Sequence, residues 1–203
     1  MKWKVLLLAI FTIIIFCMCL KQYRKYITLV RIKSLVDGNI YSVVNKSSQN
    51  KSIESADALA LINKRILTLI ESMYSKYSTN PNYDFVKYLK DRYSKDIISE
   101  AVNDPRYTTY TVDKHDIHVC LRTRDSNDTL YDINTLMYVV LHELAHLCNF
   151  DKNGEMIIGH GYEFLRIFRI LTENAMELGL YTKIDYNTKP KEYCGMMINS
   201  SIV

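Results

Sequence analysis

One short segment carries the residues with the clearest chemical potential, and it reads His142-Glu143-Leu144-Ala145-His146. On a helix, residues i and i+4 share a face, so both imidazoles can bind the same metal ion. The glutamate beside them is placed to act as the acid/base group that takes a proton from a water molecule bound to the metal. The spacing therefore predicts a zinc site, with Zn²⁺ as cofactor, that hydrolyses peptide bonds.

Catalytic zinc needs a third protein ligand and one open coordination position. His160 is the first candidate, because it follows a loop long enough for the chain to turn back and opens the next predicted helix. Phe164 lies one helical turn further on and is expected to pack beneath that histidine. Glu163 and Glu173 are alternative third ligands, since zinc also binds carboxylates.

Other residues near the motif are expected to have structural roles or are only candidates for a role in catalysis. His115 and His118 lie on or beside a predicted strand, where surface or structural roles are expected rather than metal binding. Cys148 follows His146 by two residues, so it points away from the metal-binding face and is expected in the core. Tyr162 or a tyrosine of the C-terminal tail is a candidate for stabilising the negative charge that develops on a reacting carbonyl oxygen.

The elements that must position these residues follow from hydrophobic spacing and from turn signals. Helical periodicity predicts helices over residues 55–77, 83–102, 132–149 and 161–178, with a loop over 151–159. Short β-branched and aromatic runs predict strands over 107–112 and 117–122. The tail over 181–203 is expected to be mostly irregular, with one short strand at 194–198. The fold class is therefore α+β, mostly helical, with a small sheet.

The strand over residues 117–122 has two interpretations. It could be an edge strand beside the site, where a substrate backbone binds by strand addition. It could equally be an ordinary core strand.

The N-terminus predicts a membrane anchor. Val5–Leu20 contains no charged residue and would span roughly 24 Å as a helix. Basic residues flank it, and the surplus on its C-terminal side favours a domain that faces the cytoplasm. A cleaved signal peptide is the alternative, although the segment ends without a small-residue cleavage site. The predicted organisation is an anchor over 1–25, a linker over 26–53 and one catalytic domain over 54–203.

The net charge of +4 comes from the flanks of this segment. The first 25 residues hold five basic side chains and no acidic one, which leaves 21 basic and 22 acidic side chains in the remainder. A nearly neutral domain produces no field that would attract a polyanion, so a nucleic-acid partner is not expected. Outside the predicted anchor the cysteines are Cys120, Cys148 and Cys194, which cannot all pair, and no disulfide framework is visible.

HELAH followed by HGYEF resembles the WLM and SprT-like zinc metallopeptidases. This resemblance implies a zincin-like fold, His142, His146 and His160 as zinc ligands, and Glu143 as catalytic acid/base. The stretches DINTLMYVVLHELAHL, IGHGYEFLRIFRILTENAMELGLY and EYCGMMI look like the metallopeptidase-like proteins of large nucleocytoplasmic DNA viruses. That likeness covers residues 107–198.

The sequence thus predicts a single-pass, membrane-anchored zinc metalloendopeptidase, viral by resemblance, that acts on a protein or peptide substrate. Two other functions stay open. One is a SprT-like protease of DNA–protein crosslinks, which a basic DNA-binding surface would favour. The other is a non-catalytic, zinc-stabilised protein of a virion membrane, and an intact Glu143 argues against it because a structural site needs no such carboxylate.

Overall fold

The computed structural model describes Trp3 and residues 10–20, 29–46, 48–102 and 108–203, and helices account for most of the regular secondary structure in these residues. The helices are α1 (residues 10–20), α2 (Gln49–Tyr77), α3 (Phe85–Arg92), α4 (Ile133–Cys148) and α5 (Tyr162–Glu177). The strands are β1 (Leu29–Lys33), β2 (Ile40–Val44), β3 (Ile98–Glu100), β4 (Tyr110–Val112), β5 (Asp116–Val119), β6 (Lys191–Tyr193) and β7 (Met196–Ile198). The predicted α+β class, with several helices and small sheets, is confirmed.

The predicted anchor lies partly outside the described residues. Of Val5–Leu20, residues 10–20 are described, and they are helical. Within the part of the chain that the structure describes, no helix has both the length and the apolar character needed to cross a bilayer. The anchor therefore stays a prediction from the sequence.

The core forms around α2, the long first helix of the domain. Leu59, Ile62, Ile66, Leu69 and Met73 are fully buried along one face. Their alternating spacing of three and four residues is the pattern of a helix that packs one apolar stripe. Helices α3, α4 and α5 pack in succession, so the helix that carries the two-histidine motif is held between neighbours.

The segment that was expected to be a linker, residues 26–53, contains a folded hairpin. Strands β1 and β2 pair antiparallel, and Tyr41 and Val43 are buried against the core. The carboxylate of Asp57 on α2 accepts hydrogen bonds from the hydroxyl of Ser34 and the amide of Leu35. The folded unit therefore includes residues before 54. The polar turn residues suggested a linker, but they connect two short strands whose side chains alternate between core and solvent.

The small sheet beside the site has the strand order β3-β5-β4. Strand β3 is parallel to β5. Its residues were predicted as the end of a helix over 83–102, but α3 ends at Arg92 and the chain then forms this strand. Strand β5 lies between two partners, so the edge interpretation of residues 117–122 is wrong. Ile117, Val119 and Leu121 are fully buried, as expected for a core strand. Among the described residues, β4 is the edge strand on the site's side.

The tail is more ordered than the sequence suggested. Strands β6 and β7 form a hairpin, and Cys194 and Gly195 turn the chain between them with positive φ angles of 52° and 86°. Cys194 is bonded to Cys120, just after β5, in a disulfide. The sequence showed no disulfide framework, but the structure joins two of the three cysteines outside the predicted anchor. Disulfides persist mainly in oxidising compartments, whereas the basic flanks of the predicted anchor favour a domain that faces the cytoplasm.

We expect reduction of the Cys120–Cys194 bond to lower the free energy of unfolding by about 2–4 kcal/mol. The bond joins residues 74 positions apart and so restricts the unfolded chain strongly. The unfolding temperature should fall by about 5–15 °C on adding a phosphine reductant, as measured by circular dichroism. The double variant Cys120→Ser/Cys194→Ser should not respond to the reductant. An unchanged unfolding temperature of the wild type would contradict a stabilising role.

Candidate metal centre

Helix α4 carries the two-histidine motif, and most of its residues are buried in the protein interior. The carboxylate of Asp132 caps the helix by accepting from the amide of Thr135, at 2.9 Å. Leu141, Leu144 and Ala145 are fully buried. The helix is therefore fixed by packing, and His142 and His146 project one turn apart from its remaining face.

His160 reaches the same point from the loop that precedes α5. Its Nε2 atom lies 3.0 Å from the Nε2 atoms of both His142 and His146. The buried ring of Phe164 packs against all three imidazoles, with ring centroids 4.3–4.8 Å apart. The predicted position of Phe164 beneath His160 is thus confirmed, and this aromatic ring supports the whole cluster.

The three histidines form a group that could hold a metal ion. Ligand nitrogens at tetrahedral zinc, with zinc–nitrogen distances of about 2.0–2.1 Å, lie about 3.3 Å apart. The two separations of 3.0 Å are close to that value. Three converging imidazole nitrogens are also a ligand set that suits zinc and related divalent metals.

The electrostatic surroundings keep two of these histidines in the metal-binding form. Burial, together with the neighbouring His146 and His160, lowers the pKa of His142 to about 3. Burial and His160 likewise lower the pKa of His146 to about 4. Both imidazoles are therefore neutral near pH 7, and neutral imidazole is the form that coordinates metals.

Glu143 is buried beside the histidines and is held by the edge strand β4. The hydroxyl of Thr111 donates to its Oε2 atom at 2.7 Å. Burial raises the pKa of Glu143 to about 7, while the hydrogen bonds from Thr111 oppose this by favouring the charged form. A carboxyl group that titrates near neutral pH is suited to taking up a proton and releasing it again. No sequence pattern links Thr111 to Glu143, which lies 32 residues further along the chain.

The other candidate ligands lie apart from the cluster. The carboxylate of Glu163 is bound by the guanidinium of Arg166, at 2.6 and 2.9 Å, and Glu173 is exposed further along α5. His115 is exposed, and His118 bonds to the hydroxyl of Ser99, at 2.8 Å. These positions match the surface and structural roles expected of the two histidines.

Two further predictions concern the core position of Cys148 and a tyrosine that stabilises a reacting carbonyl oxygen. Cys148 is fully buried, so its expected place in the core is confirmed. Tyr162 is 83% exposed. Tyr193 of the tail borders the site, but its hydroxyl donates to the carbonyl of Cys120, at 2.7 Å. Neither tyrosine therefore has a hydroxyl fixed toward a reacting carbonyl.

Lys114 fastens the loop that leads from His146 to His160. It sits in the tight β4–β5 turn, where Asp113 and Lys114 have positive φ angles of 47° and 53°. Its buried ammonium donates to the carbonyls of Asn149 and Ile157 and lies 4.6 Å from the ring centroid of Phe150. One side chain thus joins both ends of the loop and positions the segment that supplies the third imidazole.

Two pockets meet at the histidine cluster, and His142, Glu143 and His160 border both. The apolar pocket has a volume of about 530 Å³ and lies between α4, α5 and tail residues 193 and 196–202. The loop-side pocket has a volume of about 480 Å³ and lies between β4, the β4–β5 turn and residues 156–160. Together they form a cleft that crosses the cluster beside β4.

The chain has clear relatives among viral proteins. It is 33% identical over 175 residues to the uncharacterized protein R325 of Acanthamoeba polyphaga mimivirus, which covers 85% of this chain and 83% of R325. It is 35% identical over 105 residues to the uncharacterized protein 136R of Invertebrate iridescent virus 6, and 41% identical over 90 residues to protein 042R of Invertebrate iridescent virus 3. These two matches span about half of each chain. No protein-family model and no solved structure matches.

Proposed function

This chain belongs to the viral protein family that includes R325 of Acanthamoeba polyphaga mimivirus, and we propose that it is a metal-dependent peptidase. The relatives' names assign no activity, so the proposal depends on the site. The observation that carries it is the buried carboxyl of Glu143 beside three converging imidazoles in an open cleft. This combination supplies a metal-binding face and an acid/base group at one point.

The metal and Glu143 would have separate roles in the reaction. A divalent metal held by His142, His146 and His160, for which zinc is the best match, would polarise a peptide carbonyl and increase the acidity of water. Glu143 takes a proton from the attacking water as the water oxygen bonds to the carbonyl carbon. It delivers that proton to the amine nitrogen as the carbon–nitrogen bond breaks, so the carboxylate returns to its starting form.

The ligand number favours catalysis over a structural role. Structural zinc sites use four protein ligands, whereas hydrolytic sites use three and leave one position open. The metal-binding group found among the described residues has three members, and the cleft reaches them on two sides. Thr111 would have no reason to orient Glu143 in a site that only stabilises the fold.

The cleft also supports a polypeptide substrate. The edge strand β4 borders the loop-side pocket, and Thr109, just before it, borders both pockets. An extended peptide can pair with such an edge by backbone hydrogen bonds. The likeness of HELAH and HGYEF to WLM and SprT-like enzymes agrees with peptide hydrolysis, and we include that relation in the proposal. The nearly neutral charge after residue 25 favours a protein substrate over DNA-bound targets.

Removing the metal should abolish hydrolysis. We expect the zinc-loaded full-length chain to cleave an unfolded protein such as β-casein, and a zinc chelator to reduce the rate by more than about 100-fold. Adding zinc back in slight excess should restore the rate. The measurement is the release of fluorescent fragments from labelled casein. Hydrolysis that a chelator leaves intact, or a zinc-loaded chain that cleaves nothing, would refute the proposed function.

A further inference from the structure

The apolar pocket beside the histidines has the chemistry of a side-chain binding site. Its walls include Phe164, Leu165 and Phe168 from α5, Val139 from α4, and Met197 from the tail. Among the described residues that line it, none is Lys, Arg or Asp, and Glu143 is the one Glu. A charged group would lose its hydration there without gaining a partner, whereas a large apolar group would gain burial.

The tail wall of this pocket is held firmly in place. The disulfide between Cys120 and Cys194 joins the β6–β7 hairpin to the chain beyond β5. The hydroxyl of Tyr138 donates to the carbonyl of Ser200, at 3.0 Å, and accepts from the amide of Ile202, at 3.2 Å. The pocket is therefore preformed, as sites that select a ligand by shape usually are.

The order of residues along the segment that contains β4 gives the direction of a bound peptide. Thr108 borders the apolar pocket, Thr109 borders both pockets, and Tyr110, Asp113 and Lys114 border the loop-side pocket. A peptide that adds to this edge antiparallel, which is the more stable pairing, runs in the opposite direction. Its amino-terminal part then lies in the loop-side pocket, and its carboxyl-terminal part enters the apolar pocket.

We propose that the apolar pocket receives a large apolar side chain from the substrate residue on the carboxyl side of the cleaved bond. The inference depends on the proposed function, because it places the cleaved bond at the histidine cluster. The tail hairpin is then a specificity element, and Leu165 and Met197 determine what the pocket accepts. Phenylalanine, leucine and methionine are the expected residues, and acidic or basic residues are excluded.

Binding without turnover gives the first test. The zinc-loaded Glu143→Gln chain is titrated with fluorescent alanine–serine decapeptides that carry one central Phe, Leu, Lys or Asp. Fluorescence anisotropy should give dissociation constants at least about ten-fold lower for Phe and Leu than for Asp and Lys. Equal affinities for all four peptides would overturn the inference.

Cleavage by the wild-type chain gives the second test. Mass spectrometry of products from a mixed peptide pool should place Phe, Leu or Met after the cleaved bond at least about ten times as often as Asp or Lys. Cleavage without this preference would overturn the inference and leave the proposed function intact. Preferential binding without any cleavage would instead refute the proposed function and retain the pocket as a peptide site.

A charge introduced into the pocket should change its selectivity. The Leu165→Glu chain should lose the preference for Phe by about ten-fold or more and accept Lys better than the wild type does. Leu61→Glu is the matched control: Leu61 and Leu165 are 41% and 45% exposed on helices, and each precedes an arginine by four residues. Leu61 lies on α2 outside the pocket, so that variant should keep the wild-type preference. The same change in both variants would overturn the inference.

Discussion

The Glu143→Gln chain should keep its metal and lose hydrolysis by about 10³-fold or more, within the range expected for removing a general acid/base. Glutamine has nearly the volume of glutamate, and its amide oxygen can still accept the hydrogen bond from Thr111. The fold and the three imidazoles should therefore persist, while the amide can neither take nor return a proton. Elemental mass spectrometry would measure bound metal, and a quenched fluorescent peptide would measure the rate.

Glu173→Gln is the matched control for this variant, since Glu173 is exposed on α5 and outside the histidine cluster. It should keep both metal and activity. A Glu143→Gln chain that cleaves peptides at the wild-type rate would exclude the proposed mechanism. Loss of metal together with activity would show that Glu143 acts through the stability of the site.

The second large effect is expected from His160→Ala. Its imidazole is one of the three converging groups, and alanine leaves only His142 and His146 on α4. Metal affinity should fall by at least about 100-fold, because loss of a partner outside the ligand shell alone costs about 10–100-fold. Zinc content after gel filtration would measure the loss, and the stabilisation of the fold by added zinc should shrink in parallel.

Two controls separate a lost ligand from a damaged fold. His115→Ala removes an exposed histidine and should leave zinc content unchanged. Glu163→Gln tests the alternative ligand, whose carboxylate is occupied by Arg166 in this structure. Full zinc content in His160→Ala combined with loss in Glu163→Gln would reverse the assignment of the third ligand.

Most of the helices and the three-histidine cluster could be predicted from the sequence because their signals are local. The stripe from Leu59 to Met73 repeats along one helix, and His142 and His146 are separated by one turn of another. The position of His160 could be predicted in the same way, because it follows a loop of suitable length and lies at the start of the next helix. Each of these features depends on neighbours within about twenty residues, where spacing alone determines which side chains share a face.

The parts that were missed depend on contacts between distant segments. Strand β3 has three residues, too few to show a period, and its partner β5 begins 16 residues after it. The pairing of Cys120 with Cys194, and that of Thr111 with Glu143, appear only once the chain is folded. The hairpin β1–β2 is a different case, because Asp37-Gly38 between two short apolar segments is a local turn signal that is typical of a hairpin.

The disulfide and the histidine cluster differ in how much chain they enclose, and this difference bears on the order of assembly. The cluster spans 18 residues, from His142 to His160, whereas the disulfide closes a separation of 74. Bringing the ends of the shorter segment together costs about 1.3 kcal/mol less conformational entropy. The histidine cluster can therefore form while the tail is still free. A newly made chain can thus bring its three histidines together first and complete the tail wall of the apolar pocket only when Cys194 reaches Cys120.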